Sequence, residues 1–287
     1  MWGPLNHLVI FLASSSIIVG DRAYGYRPVI LMHGLLVSSD AMDSLEQRIL
    51  TAHPGTPVFN IDAYNDADSL KPMWQQVHGV YRVIGPILDS SPDGAILIGH
   101  SQGGVIFRGI LEAYPTSNIT FISLASPMAG QFGTAQISEI IPLITKEFMY
   151  HYCYLSEARH SVSICNWWKD PTQMTLYRTN NNFLYPLESP TDKEYKSNFE
   201  RIGKLVLIGG PDDGIVEPWQ STQFGYYDKN MKIEECVDQE FYTKNSFGLR
   251  TLDDSGRLHI HTVEGVHHFG FHKDQTVFDC CIKQWLD

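Results

Sequence analysis

The run Gly99-His100-Ser101-Gln102-Gly103-Gly104 holds a serine between glycines at the spacing of an activated hydroxyl. A serine at the tip of a sharp strand-to-helix turn presents its Oγ clear of the backbone, and the glycines leave room where strand, turn and helix crowd together. The flanks suit such a turn: Ala95-Ile96-Leu97-Ile98 reads as a buried strand and Gly104-Val105-Ile106-Phe107-Arg108-Gly109-Ile110-Leu111 as the start of a helix. Ser101 is the expected nucleophile for acyl transfer. The helix N-terminus would aim backbone N–H groups at a developing oxyanion, so Gln102 is expected to supply one donor. The second is expected from the loop after an early strand, where His33-Gly34-Leu35-Leu36 stands. Leu35 is the residue chosen there, and His33 is read as a turn histidine bonding its own loop.

A base and an acid must follow, in the order Ser, Asp or Glu, His. Asp212-Asp213-Gly214 offers two carboxylates and Gly265-Val266-His267-His268 two imidazoles. A neutral imidazole would take the Ser101 proton and return it to the leaving group, while the aspartate fixes the ring tautomer and stabilises the cation. A rival reading gathers His259, His261, His267, His268 and His272 as metal ligands, since His259 and His261 share one face of a strand. The accompanying Cys or Glu-x-x-His spacing of familiar zinc sites is missing, so neither a metal nor a cofactor is expected.

These groups need a scaffold that delivers them to one place. Short apolar runs recur at Pro28–Met32, Val58–Ile61, Ala95–Ile98, Ile119–Leu124, Leu205–Ile208 and Leu258–Val263, with a helix over Leu70–Leu88 among the intervening segments. Alternating β and α units predict an α/β-hydrolase fold, with a mostly parallel central sheet flanked by helices. From about residue 128 to 199 the alternation gives way to mixed aromatic, Pro and Asn-rich sequence, which predicts a cap-like insertion over the C-terminal edge of the sheet. Its aromatics Tyr150, Tyr152, Trp167, Trp168 and Phe183 are candidates for lining an acyl groove, and equally for core packing.

The 287 residues suffice for one catalytic domain, placed at 24–287, and the 43% hydrophobic composition is that of a folded chain. A net charge of −11 excludes tracking of phosphate backbones, so no nucleic-acid partner is expected. Leu8–Val19 is too short and serine-rich to span a bilayer, and residues 1–23 are read as a signal peptide; no transmembrane span is expected. Asn118-Ile119-Thr120 is a glycosylation sequon, which suits a secretory route. Of the five cysteines, Cys153 and Cys165 flank a short segment that they can close, and Cys236 is expected to pair with Cys280 or Cys281.

The chain resembles the lysosomal palmitoyl-protein thioesterases, their type-2 branch most closely. The resemblance rests on Pro28-Val29-Ile30 leading into His33-Gly34-Leu35, Lys71-Pro72-Met73-Trp74-Gln75-Gln76-Val77, Ser101-Gln102-Gly103-Gly104, Gly130-Gln131, Ser163-Ile164-Cys165-Asn166 and Leu205–Gly214 with Pro218-Trp219-Gln220-Ser221. It implies Ser101 as nucleophile, Asp213 as acid and His268 as base, with Asp212 and His267 as nearest rivals. It also implies a Cys153–Cys165 disulfide, a fatty acyl thioester substrate of the palmitoyl-CoA kind, and a lysosomal location. The family's C-terminal disulfide does not carry over, because His261 stands where its first cysteine belongs. Gly99-His100 also departs from the family pattern and looks lipase-like, which keeps a lipase or carboxylesterase acting on oxyesters as the alternative. A non-catalytic lipid-binding protein on the same fold is the alternative from another class.

Overall fold

Six strands form one parallel sheet in the order β2-β1-β3-β4-β5-β8 in the computed structural model, which describes residues 25–134, 138 and 145–287. The strands are β1 (Val29–Met32), β2 (Val58–Asn60), β3 (Ile96–His100), β4 (Thr120–Leu124), β5 (Lys204–Gly209) and β8 (Leu258–Thr262); β6 (Tyr226–Tyr227) and β7 (Ile233–Glu234) make a separate antiparallel ribbon. The signal-peptide reading of residues 1–23 lies outside the described residues. Among those described, no helix is long and apolar enough to cross a membrane.

The inner strands read as largely apolar runs, with only Thr120 and Ser123 polar in β4, because both faces of the sheet are covered. Alternate residues feed two separate cores. Ile30, Met32, Leu97 and Phe121 pack with α2 (Met73–Asp89) and α3 (Gln102–Ala113), whereas Val29, Leu31, Ile98 and Ile122 pack with Leu45 and Ile49 of α1 (Asp43–Ala52) and with Val277, Phe278 and Ile282 near the C-terminus. Between β4 and β5 lie α4 (Lys146–Leu155), α5 (Ser163–Trp167), α6 (Met174–Asn180), α7 (Leu184–Glu188) and α8 (Lys193–Phe199). Cys153 of α4 and Cys165 of α5 are disulfide-bonded, closing that stretch on itself.

The expected pairing of Cys236 is corrected. Cys236 is a free, buried thiol in the core on the α3 face of the sheet, whereas Cys281 lies in the core on the opposite face and is bonded to its neighbour Cys280. The sheet stands between them. Burial among apolar groups, with Asp253 and Glu235 nearby, pushes the Cys236 thiol up to about 12 and keeps it protonated.

Strand order reverses around β1, which has β2 on one side and β3 on the other. Open parallel sheets bind ligands at such a switch point, outside the carboxyl ends of the strands. Met32 lies opposite Gly99 in the β1–β3 register, so the loop His33–Leu36 emerges beside Ser101. Gly209 lies opposite Thr262 in the β5–β8 register, which brings the loop of Asp212 and Asp213 beside that of His267 and His268.

Candidate active site

Ser101 caps α3 with φ 54° and ψ −126°, a left-handed conformation that a non-glycine residue adopts only under constraint. The constraint comes from close packing on either side. A Cβ at Gly99 would fall 2.5 Å from Gly104 N, and one at Gly103 would fall 2.4 Å from Met32 O and 2.5 Å from His33 O. Both glycines are therefore required for the strand, the turn and the loop after β1 to approach one another. The Ser101 N–H donates to Leu124 O at 2.9 Å, tying the turn to β4. Ser101 itself is buried to 6% exposure.

Asp213 and His268 form a buried pair. His268 Nδ1 lies 2.9 Å from Asp213 Oδ2 and 3.1 Å from Oδ1, and the His268 N–H donates to Asp213 O at 2.9 Å. A carboxylate only accepts, so Nδ1 carries the ring proton and Nε2 keeps its lone pair. Nε2 is buried and has no hydrogen-bond partner among the described residues. The neighbouring residues form a parallel outer pair: His267 Nδ1 contacts Asp212 O at 3.0 Å, Gly265 N donates to Asp212 Oδ2 at 2.7 Å, and the side chains of both Asp212 and His267 are exposed. The inner pair is thus buried and the outer pair solvent-facing.

His33 is buried, with Nδ1 2.9 Å from Gly34 O and Nε2 3.0 Å from Ala63 O, both backbone atoms of its own and a neighbouring loop. Leu35 and Gln102 line, with Ser101, Pro127, Gln131, Trp167, Ile215 and Val216, a small cavity of about 10 Å³. The turns that carry Leu35 and Gln102 are bound to one residue. Ser69 Oγ accepts from Leu36 N at 2.7 Å, while Ser69 O accepts from Gln102 Nε2 at 2.8 Å, Gln76 Nε2 at 2.7 Å and Ser163 Oγ at 3.0 Å. Trp167 Nε1 completes the set by donating to Gln102 Oε1 at 3.0 Å.

Sequence reasoning missed this network. Its signal lay in Gln76, a polar residue on the otherwise apolar buried stripe Met73, Val77 and Val80 of α2. Of the five insertion aromatics offered as groove residues, Trp167 alone lines the cavity; Trp168 and Phe183 are wholly buried in the core, Tyr150 packs partly against it and Tyr152 is exposed. Gln131 was singled out only through resemblance. It accepts from Glu217 N at 3.1 Å and donates to Ile215 O at 2.9 Å, bracing the acid loop.

Among the described residues, no group of three or more His, Cys, Asp or Glu side chains is arranged to hold a metal ion. His259 and His261 both face Trp285, at ring separations of 4.6 and 6.4 Å. Asn118 is exposed at the turn before β4, its Nδ2 donating to Asp93 O.

A parallel sheet with a strained serine turn after β3 and an Asp–His pair on the loops after β5 and β8 defines an α/β-hydrolase. The solved monoacylglycerol lipase of Paleococcus ferrophilus shares the fold, at TM-score 0.50 and 15% identity over 91% of this chain and 95% of that one. The chain belongs to the palmitoyl protein thioesterase family, whose model matches residues 28–268. The lysosomal thioesterase PPT2-B of Xenopus laevis is 42% identical over 273 residues, covering 93% of this chain and 94% of that protein. The human lysosomal thioesterase PPT2 is 39% identical over 267 residues, covering 91% and 88%.

Proposed function

We propose that this enzyme hydrolyses long-chain fatty acyl thioesters, palmitoyl-CoA among them, through an acyl-Ser101 intermediate. The observation that carries the reading is the buried Asp213–His268 pair, which leaves a bare Nε2 in the His268 loop beside the strained serine turn. His268 Nε2 takes the Ser101 proton as Oγ attacks the thioester carbonyl carbon, and Asp213 stabilises the imidazolium. The Leu35 and Gln102 N–H groups hold the oxyanion, and the Ser69 network fixes both turns that present them. Collapse of the tetrahedral species breaks the C–S bond, and the departing thiolate takes the proton from His268. Water, activated by the same nitrogen, then releases the fatty acid and restores Ser101.

The acyl chain enters against the apolar side chains of Leu35, Trp167 and Val216, which line the cavity beside Ser101. Burial of the chain contributes about 0.8 kcal/mol for each CH2 removed from water. We place the enzyme in the lysosome, reached by secretion, because the relatives named above are lysosomal and the bonded cysteines suit an oxidising compartment. A glycan on Asn118 belongs to the same reading.

Matched palmitoyl thioester and oxyester substrates, assayed on purified protein with Ser101→Ala as control, test the reading. The thioester is expected to be turned over preferentially, with activity lost in S101A. Preference for the oxyester would assign a lipase or carboxylesterase instead, and no turnover of either would leave a binding protein.

A further inference from the structure

The acid and base reach the site from the loops after β5 and β8, whereas Ser101 follows β3, with β4 intervening. Hydrogen bonds from His268 to Asp213 unite the first two loops, but they do nothing to set the distance of the pair from the serine. His100 bridges that gap. It is the last residue of β3, is 2% exposed, and its Nε2 lies 3.0 Å from the backbone oxygen of His268. Its ring is wedged between those of His268, at a centroid distance of 4.8 Å, and His272, at 4.4 Å, with Phe269 at 6.3 Å.

A carbonyl oxygen only accepts, so His100 Nε2 carries a proton and donates it. Burial, reinforced by His272 and His268, holds the His100 imidazole well below its ordinary range, and Lys273 acts in the same direction. The ring therefore works as a neutral Nε2–H donor, a fixed strut and not a titrating group. One peptide unit separates it from the nucleophile, so a bond from its ring to the base's own backbone links the two halves of the site by a short path.

We propose that His100 is a positioning residue that fixes His268 relative to Ser101 through the Nε2–H bond to the His268 carbonyl. The proposal rests on the acyl-Ser101 reading above. The strut acts on the alignment of base and nucleophile, which enters the chemical step, and the His100 ring is not among the residues lining the cavity. Its loss therefore lowers kcat and leaves KM in place.

Two neutral amides separate the donor from the bulk. The Nε2 of glutamine falls where histidine Nε2 does, whereas the Nδ2 of asparagine stops short of it. In His100→Gln, kcat for palmitoyl-CoA hydrolysis is expected within about threefold of the parent. In His100→Asn and His100→Phe it is expected to fall by about tenfold or more with KM within about twofold, and labelling of Ser101 by an active-site phosphonate should slow in parallel. If H100F does not fold, H100Q against H100N carries the comparison. Equal loss in H100Q and H100N, or an unchanged kcat in H100N, would overturn the positioning role. S101A separates the two claims: activity surviving in S101A sinks the acyl-serine reading, whereas an inactive S101A beside a fully active H100N sinks only the strut.

Discussion

Asparagine at position 213 isolates the carboxylate's charge from its shape. Asp213 Oδ1 accepts from the backbone N–H groups of Ile215 at 3.0 Å and Val216 at 2.7 Å, a position that suits an oxygen and repels an NH2 group. The amide of Asp213→Asn is thus oriented with its oxygen on those two donors and its Nδ2 toward His268 Nδ1. Two donors cannot face each other, so the ring proton moves to Nε2, the nitrogen that must receive the Ser101 proton. The same tautomer error in a serine–histidine–aspartate triad on another fold lowers kcat on the order of 10⁴-fold, or about 5 kcal/mol of barrier. The assay is steady-state hydrolysis of palmitoyl-CoA, with the unfolding midpoint recorded alongside; the two backbone bonds survive, so the fold is expected to hold. Asp212→Asn, on the exposed outer pair, is the control and is expected within about threefold of the parent. D213N activity within about tenfold of the parent would refute the tautomer argument.

Gly103→Ala sets a methyl carbon 2.4 Å from Met32 O and is expected to destabilise the fold by about 1–3 kcal/mol or more, read by urea denaturation. Removing the Cys153–Cys165 link with the double serine variant is expected to cost about 3 kcal/mol, and an unchanged midpoint in denaturant would contradict it. Burial first, then Lys273 and His268, lowers His272 to about 4. The unfolded chain takes up that proton near pH 6.5 and the folded protein only near 4, so stability falls with pH across that window by about 3 kcal/mol and is unaffected above it. Denaturation of His272→Phe at pH 4.5 and 7 should show a correspondingly smaller loss between the two than the parent shows.

The sheet was legible in the sequence because its strands are buried on both faces, so the runs around Ile30, Leu97 and Val206 are apolar and the one around Ile122 is broken only by the small polar residues Thr120 and Ser123. The serine turn was legible because its glycines are enforced by contacts at backbone distance. Choosing between Asp212 and Asp213, or between His267 and His268, was beyond residue patterning: adjacent loop residues point opposite ways, and one pair is buried while its neighbour is exposed. Resemblance favoured the inner residues, whose side chains the structure pairs in the interior, while the outer two meet at the surface. The Cys236 pairing failed because sequence spacing does not report which face of a sheet a loop lands on. The Ser69 network showed in the sequence only as the polar Gln76 on an apolar helix stripe. Its acceptor is a backbone carbonyl, and a carbonyl has no signature in the amino-acid alphabet.

Trapping the covalent intermediate tests the central claim most directly. Rapid acid quench of the enzyme with palmitoyl-CoA, followed by mass analysis of the peptide spanning Ile96–Arg108, should show a palmitoyl adduct on Ser101 that is absent from S101A and accumulates too slowly to detect in D213N. Turnover without any adduct on Ser101, sustained in S101A, would contradict the account.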